Sequence, residues 1–378
     1  MVKFKGFQFS ISEFAGSLGD FGTLMPFTVG YIVLCGFKPT GLMLGIGLTN
    51  ILLGLIYNLP LPVQPQKVIG TVALAEKWPM RRVLGAGFAV GLIWVILSLS
   101  ERLRDTLEKI PSSIVRGIQL GLAFSLALTA GSMMEDSLIL SLVVLALGLL
   151  LLRSRYLPSA IFLMVFGFTY ATVTGNLNLG QITIGLSLPE VTLFSLGDMV
   201  YGFLYAGLAQ IFLTLTNAVV STVALIHELF PDRKDVTPRK LIANMGAINT
   251  TTPFIGGMPL CHGTGGLAAQ YLFGARTGGS MLIEGVIEIS LGLFFSNSLQ
   301  IIFEAFPDFI IGVMLLLTSL ELGRIAFKIK KTDEIPVLLF TALISTVLNI
   351  AYGFMAGILL YLALKKDIVK LEPEKSKT

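Results

Sequence analysis

The chain has 378 residues, 54% of them hydrophobic and 13% charged, with a mean hydropathy of +0.83 and a formal net charge of +4. A soluble core of this length does not need so much apolar surface, and the modest charge gives nucleic-acid binding no support. Two cysteines, Cys35 and Cys261, exclude a disulfide framework, and neither stands at a zinc-like spacing to His227 or His262. No metal site and no cofactor is expected.

The opening Met1-Val2-Lys3-Phe4-Lys5 carries two lysines but no small-residue cleavage site after a short apolar core, so it reads as a cytoplasmic start rather than a signal peptide. Charge-free runs such as Val83–Leu99 and Leu138–Leu152 predict bilayer-spanning helices. The first seven spans fall at about 16–35, 41–59, 63–76, 82–100, 112–131, 137–152 and 157–175. A polar, glycine-rich connection over 175–197 follows. Seven more fall at about 198–226, 238–254, 262–274, 279–297, 308–327, 335–351 and 353–364. The fold class is therefore an all-α polytopic membrane protein of about 14 segments. Lys and Arg gather at 3–5, 102–109, 153–155, 233–240, 324–331 and 365–370, each at a predicted inner turn, which puts both termini in the cytoplasm. Arg81 and Arg82 break this pattern.

The two halves resemble each other. "LPVQPQKVI" (61–69) matches "MPLCHGTGG" (258–266) at a shift of 197, which pairs Pro62 with Pro259 and Asp20 with Asn217; a shift of 196 pairs Pro111 with Pro307. Seven spans per half is odd, so the second copy is expected to be inverted in the membrane, the mark of secondary transporters. This divides the chain into a first repeat over 1–180 and a second over 195–378.

Spans three and ten are too short to cross as plain helices. Pro62 and Pro65 force an extended segment, so a half-helix can begin only near Gln66–Lys67; Pro259-Leu260-Cys261 plays the same part before His262-Gly263-Thr264-Gly265-Gly266. Each half-helix start offers unpaired N–H groups and a partial positive charge. Two such ends at mid-membrane suit a small anion. Lys67 adds a full charge, while Gln64, His262 and Thr264 add hydrogen-bond donors. The backbone N–H groups of 66–68 and 263–266 are expected to cradle the anion, with Asp20, Thr23, Gln66, Cys261, Asn217 and Ser221 shaping the site. Asp20 is read either as a structural partner of Lys67 or as a participant in transport. Glu284 and Glu288, spaced i,i+4 inside a span, are candidates with Asp20 for proton coupling, or else a structural pair with Arg276. A packed histidine bonded to backbone is the bland alternative for His262. No G-x-S-x-G nucleophile turn and no Walker A pattern occurs, so neither a hydrolase nor an ATP-driven pump is expected.

"PVQPQKVIGTVAL" (62–74), "GGMPLCHGTGGLAAQYLFGARTGG" (256–279) and "GSLGDFGTLMP" (16–26) resemble the signature stretches of the molybdate transporter family, a branch of the sulfate permease superfamily. The resemblance implies two inverted seven-span repeats, with a core of spans 1–4 and 8–11 moving against a gate of spans 5–7 and 12–14. It implies high-affinity molybdate uptake at the cell membrane, with tungstate competing, and carries Gln64, Lys67, Cys261, His262, Gly263, Thr264 and Gly266 over as signature residues. Where the family often has Met and Ala, this chain has Gln66 and Thr264. The 14 residues Lys365–Thr378 are too short for the regulatory domain of many sulfate permeases, in agreement with the molybdate branch. Expected partners are the oxyanion and the bilayer, with a homodimer allowed. A sulfate permease is the runner-up within transport, and a passive anion channel the reading from another class.

Overall fold

The computed structural model describes residues 2–4, 6–101, 111–151, 159–326 and 334–365. The lysine and arginine groups at 102–109 and 153–155, and most of those at 324–331 and 365–370, lie outside the described residues. A small hairpin, β1 (Val2–Phe4) with β2 (Phe7–Phe9), precedes α1 (Ile11–Ser17), α2 (Phe21–Cys35) and α3 (Pro39–Tyr57). Strand β3 (Val63–Pro65) leads into the short α4 (Lys67–Ala75), and α5 (Met80–Leu99), α6 (Ser112–Met134), α7 (Leu138–Leu151) and α8 (Ser159–Val173) complete the first half. The second half opens with α9 (Leu196–Leu229), which changes to π-helix over Phe203–Gly207 and Leu215–Val220, and with α10 (Pro238–Thr251). Strand β4 (Leu260–His262) leads into α11 (Thr264–Leu272), and α12 (Gly279–Phe294), α13 (Ser296–Glu304), α14 (Asp308–Ala326), α15 (Ile335–Val347) and α16 (Ile350–Lys365) follow.

Helix ends follow local chemistry. Pro39 and Pro238 occupy first-turn positions, where a missing N–H costs nothing. Gly36 closes α2 at φ 71°, the left-handed conformation that a helix stop requires. Ser195 and Asp198 bond each other's backbone in a capping box that starts α9.

Four helices are long and apolar enough to cross a bilayer, or five if α12 and α13, bent by 85°, count as one broken span. The outer helices carry lipid-type surfaces: Ile139 is 82% and Leu150 78% exposed, among many such residues. The predicted first span is corrected, because the chain turns over 18–20 and the helix proper starts at Phe21. The predicted eleventh span ends at Phe294 and gives way to α13.

Packing sorts the helices. α3 lies against α12, and α5 against α10 and the start of α9; α6 lies against α14 and α15, α15 against α16, and α7 against α8 and α14. The 175–197 connection runs across the ends of α12 and α10, with Gly185 and Ser187 N–H groups donating to Phe294 and Leu293 carbonyls at 3.0 and 2.7 Å, and Thr192 N–H to Phe254 O at 2.9 Å. Lys38 pairs with Glu190 of the same connection at 2.5 Å. Arg82, the exception in the charge pattern, stacks its guanidinium over the Tyr201 ring at 4.3 Å.

Candidate functional site

The proline-led segments meet at the centre. β3 and β4 pair antiparallel, with Val63 opposite His262, Gln64 opposite Cys261 and Pro65 opposite Leu260, and all six are buried. Extended backbone so deep must find its partners in protein. Asn50 of α3 accepts from Val63 N–H at 3.1 Å. Asn249 of α10 does the same for Leu260 N–H at 2.9 Å and donates back to Leu260 O at 2.7 Å. Gln66 N–H donates to Pro259 O at 2.9 Å, and its side-chain amide donates to Leu260 O at 3.1 Å.

The half-helices after the strands are equivalent in length and bonding. α4 and α11 have nine residues each. Gly70 N–H to Gln66 O in the first corresponds to Leu267 N–H to Gly263 O in the second, and Trp78 N–H to Ala73 O corresponds to Ala275 N–H to Gln270 O. Every one of these positions is related by the same shift of 197.

Their starts are not equivalent. Gln210 of α9 accepts from both Val68 N–H (2.7 Å) and Ile69 N–H (3.3 Å), and its own amide donates to Thr214 at 2.7 Å. With Gln66 N–H also engaged, the expectation that amides 66–68 cradle an anion is corrected: Gln66 and Val68 spend theirs on protein. At α11 the first i to i−4 bond is the one from Leu267, so the amides of residues 264–266 lie at the helix start, beside a Thr264–Thr222 hydroxyl bond of 2.8 Å.

Glycine at 263 and 266 is required by close packing. A Cβ at Gly263 would strike the Gln64 amide, and one at Gly266 would lie 2.8 Å from both Asp20 Oδ1 and Pro62 Cγ. At Gly265 a Cβ would meet open space. Asp20 caps the position before α2, is 2% exposed, and accepts from Gln64 Nε2 through Oδ1, while its Oδ2 has no protein partner. It forms no ion pair with Lys67, so the structural-pair reading is corrected; Lys67 stands half-buried at the first position of α4. His262 is fully buried and neither ring nitrogen has a protein partner, which removes the backbone-bonded alternative. Thr23 is half-buried in the first turn of α2, Cys261 is buried with Sγ toward Pro65 O at 3.9 Å, and Ser221 begins the last α-helical stretch of α9 with an exposed side chain. Asn217 lies in the π-helical stretch before it, and its side chain is outside the described residues.

Glu284 and Glu288 of α12 are buried. Glu284 accepts from Gln270 at 2.6 Å and Glu288 from Asn50 at 2.9 Å. The expected partner Arg276 is elsewhere, lying over the Tyr271 ring at 3.6 Å and donating to the Tyr271 and Ala275 carbonyls. Sequence reading missed Gln210, Asn50 and Asn249. Each is a lone amide in an apolar span, a signal that singles out a residue without naming what it holds. Among the described residues, no group of three or more His, Cys, Asp or Glu side chains could hold a metal ion.

Two half-helices joined at buried, paired strands inside an apolar helical bundle define an integral membrane transporter. A family model described as "Molybdate transporter of MFS superfamily" matches residues 12–126 and 202–322, and the chain belongs to this molybdate transporter family. It is 30% identical over 406 residues to Molybdate transporter 1 of Arabidopsis thaliana, covering 95% of this chain and 89% of that one. It is 25% identical to Molybdate transporter 1 of Chlamydomonas reinhardtii, covering 93% and 91%. Among solved structures it resembles the transmembrane domain of the cyanobacterial bicarbonate transporter BicA, with a TM-score of 0.68 at 14% identity over 94% of this chain and 98% of that one. It also resembles the murine anion transporter Slc26a9 in the inward-facing state, with a TM-score of 0.70 at 14% identity over 98% and 70%. At that identity the likeness is one of fold. The relatives are transporters, and enzymatic chemistry has no support.

Proposed function

We propose that the chain is a secondary active transporter that imports molybdate by alternating access, with tungstate competing. The observation that carries the reading is the buried pairing of β3 with β4, which brings His262, with no protein partner on either ring nitrogen, and the half-buried Lys67 to the starts of the two half-helices. A tetrahedral dianion there takes hydrogen bonds from the first-turn amides of α11, from the Thr264 hydroxyl and from a ring N–H of His262, and takes charge from Lys67. Gln64, held by Asp20, forms the floor across Gly263 and Gly266.

The 14-segment inverted repeat belongs to this reading. An antiparallel strand pair whose members are repeat counterparts is what two copies related by an in-plane two-fold axis produce. The core of spans 1–4 and 8–11 and the gate of spans 5–7 and 12–14 are supported by the packing of α3, α5, α9, α10 and α12 in one group and α6, α7, α8, α14, α15 and α16 in another. Residence in the cell membrane with cytoplasmic termini, and a homodimer, complete the reading. Sulfate shares the shape and charge of molybdate, and a sulfate permease is its competitor.

The deciding measurement is the melting temperature of the purified protein against molybdate, tungstate, sulfate and uracil. A ligand that binds only the folded state stabilises by about 2.7 kcal/mol at a hundred times its Kd. Stabilisation by micromolar molybdate and tungstate, with sulfate far weaker, is expected. Sulfate acting at equal or lower concentration reassigns the chain as a sulfate permease.

A further inference from the structure

Importing a dianion against a negative interior costs about 2.3 kcal/mol per charge per 100 mV, so accumulation needs a driving ion. We propose that Glu284 and Glu288 share the proton that drives uptake. The proposal rests on the reading of the chain as an oxyanion importer.

The two carboxylates stand one turn apart on the same face of α12 and are 1% and 2% exposed. Each has one oxygen bonded to a side-chain amide, Glu284 to Gln270 and Glu288 to Asn50, and in each the other oxygen, Oε1, is buried without a protein partner. Among the described residues no cation lies within ion-pairing distance of either. Two uncompensated carboxylates in an apolar interior are costly, and one proton on the pair removes half of that charge.

The side chains around them present donors, which suits carboxylates that carry or exchange a proton. Asn50 must present its N–H group to Glu288, because its oxygen already accepts from Val63 N–H. Gln270 presents its N–H group to Glu284, with its oxygen turned to Ser280 Oγ at 2.9 Å. Neither amide therefore offers its oxygen as a ligand, and a sodium or magnesium ion would have to be held by the carboxylates, backbone carbonyls or water alone.

The other ionisable groups on the neighbouring elements are accounted for. Glu13 of α1 is held by the amides of Arg276, Thr277 and Ser280 at 3.0–3.1 Å. Tyr57 of α3 receives Asn244, Tyr271 of α11 carries Arg276, and Glu304 of α13 is exposed; β2 has no ionisable residue. Asp20 acts electrostatically on both carboxylates.

The amides give the proton a lever on the anion site. Asn50 joins Glu288 to β3, opposite His262, and Gln270 joins Glu284 to α11, whose start holds the anion. A proton arriving from outside takes the pair from two negative charges to one, travels with the anion, and leaves to the inside as the second carboxylate reionises, so one proton enters per turnover.

The test uses the full chain in proteoliposomes with an imposed pH gradient, alkaline inside. One proton per turnover adds about tenfold to steady-state molybdate accumulation per pH unit. The E284Q/E288Q double variant is expected to retain molybdate-induced thermal stabilisation and molybdate–molybdate exchange but lose this dependence. The infrared carbonyl band of a buried protonated carboxyl is expected in the wild type and missing from the double variant. Wild-type accumulation that follows sodium but not pH, a double variant that keeps the full pH dependence, or identical infrared spectra would each overturn the proposal. Failure of molybdate to stabilise the wild type removes the substrate reading alone, since the infrared comparison needs no substrate.

Discussion

Gln64 and Cys261 sit directly opposite each other in the antiparallel pair, and they are also repeat counterparts, 197 positions apart in the chain. Under the proposed inverted repeat, a residue that faces its own counterpart marks the place where a local two-fold axis would cross the molecule. The anion site is therefore expected close to this axis, yet off it, because the two half-helix starts have different neighbours: Gln210 takes the Val68 and Ile69 amides of one, and a Thr264–Thr222 hydroxyl bond stands beside the other.

Lys67 is the cation proposed for the site, and it forms no ion pair with Asp20. Lys67→Ala is expected to weaken molybdate binding by more than about tenfold, roughly 1.4 kcal/mol or more, with the unliganded melting temperature little changed. Isothermal titration against the wild type checks this, and normal binding would displace the lysine from the site.

His262 has two buried ring nitrogens and no protein partner for either. A group so placed is explained by a ligand or by water. His262→Ala should therefore reduce both molybdate binding and uptake, measured with radiolabelled substrate. Unchanged binding and uptake would return this residue to a packing role.

The glycines separate sterics from chemistry. Gly263→Ala and Gly266→Ala both drive a methyl group into the Gln64–Asp20 contact and are expected to abolish uptake. Gly265→Ala meets no atom within 4 Å, so the protein should fold and melt at or slightly above the wild-type temperature, as replacement of a helical glycine gains up to about 1 kcal/mol. Melting curves and uptake for the three variants check the contrast, and equal damage from all three would contradict it.

Gln210→Met keeps the side-chain volume but leaves the Val68 and Ile69 amides without their acceptor. The expected cost is about 1–3 kcal/mol of stability for a buried donor left unpaired. Denaturation in detergent measures it. Because those amides would then be available at the Lys67 end, the preference for molybdate over sulfate is expected to narrow in the same variant, which competition binding reads separately.

Much of this was legible in the chain. Proline at 62, 65 and 259 cannot continue a helix, so the extended segments and the half-helices after them follow from local stereochemistry alone. Apolar run length predicts long helices such as Pro39–Tyr57 and Met80–Leu99, which are long and apolar enough to cross a bilayer. The break at 18–20 was not legible, since Asp20 in an apolar stretch reads equally well as a buried polar residue within a helix.

What only the tertiary structure decided is which polar groups meet. Asn50 and Glu288 are 238 residues apart, Gln210 and Val68 142, and Arg276 turns to Tyr271 instead of Glu284. Local propensity carries no information about such pairings. In a low-dielectric interior each buried donor must find an acceptor, and the packing of distant helices determines which acceptor is within reach. The sequence thus determined that a short helix would start just after each proline-led extended segment. The fold determined that one of those starts is already occupied by Gln210, because α9 passes beside α4 and brings an amide oxygen to its first turn.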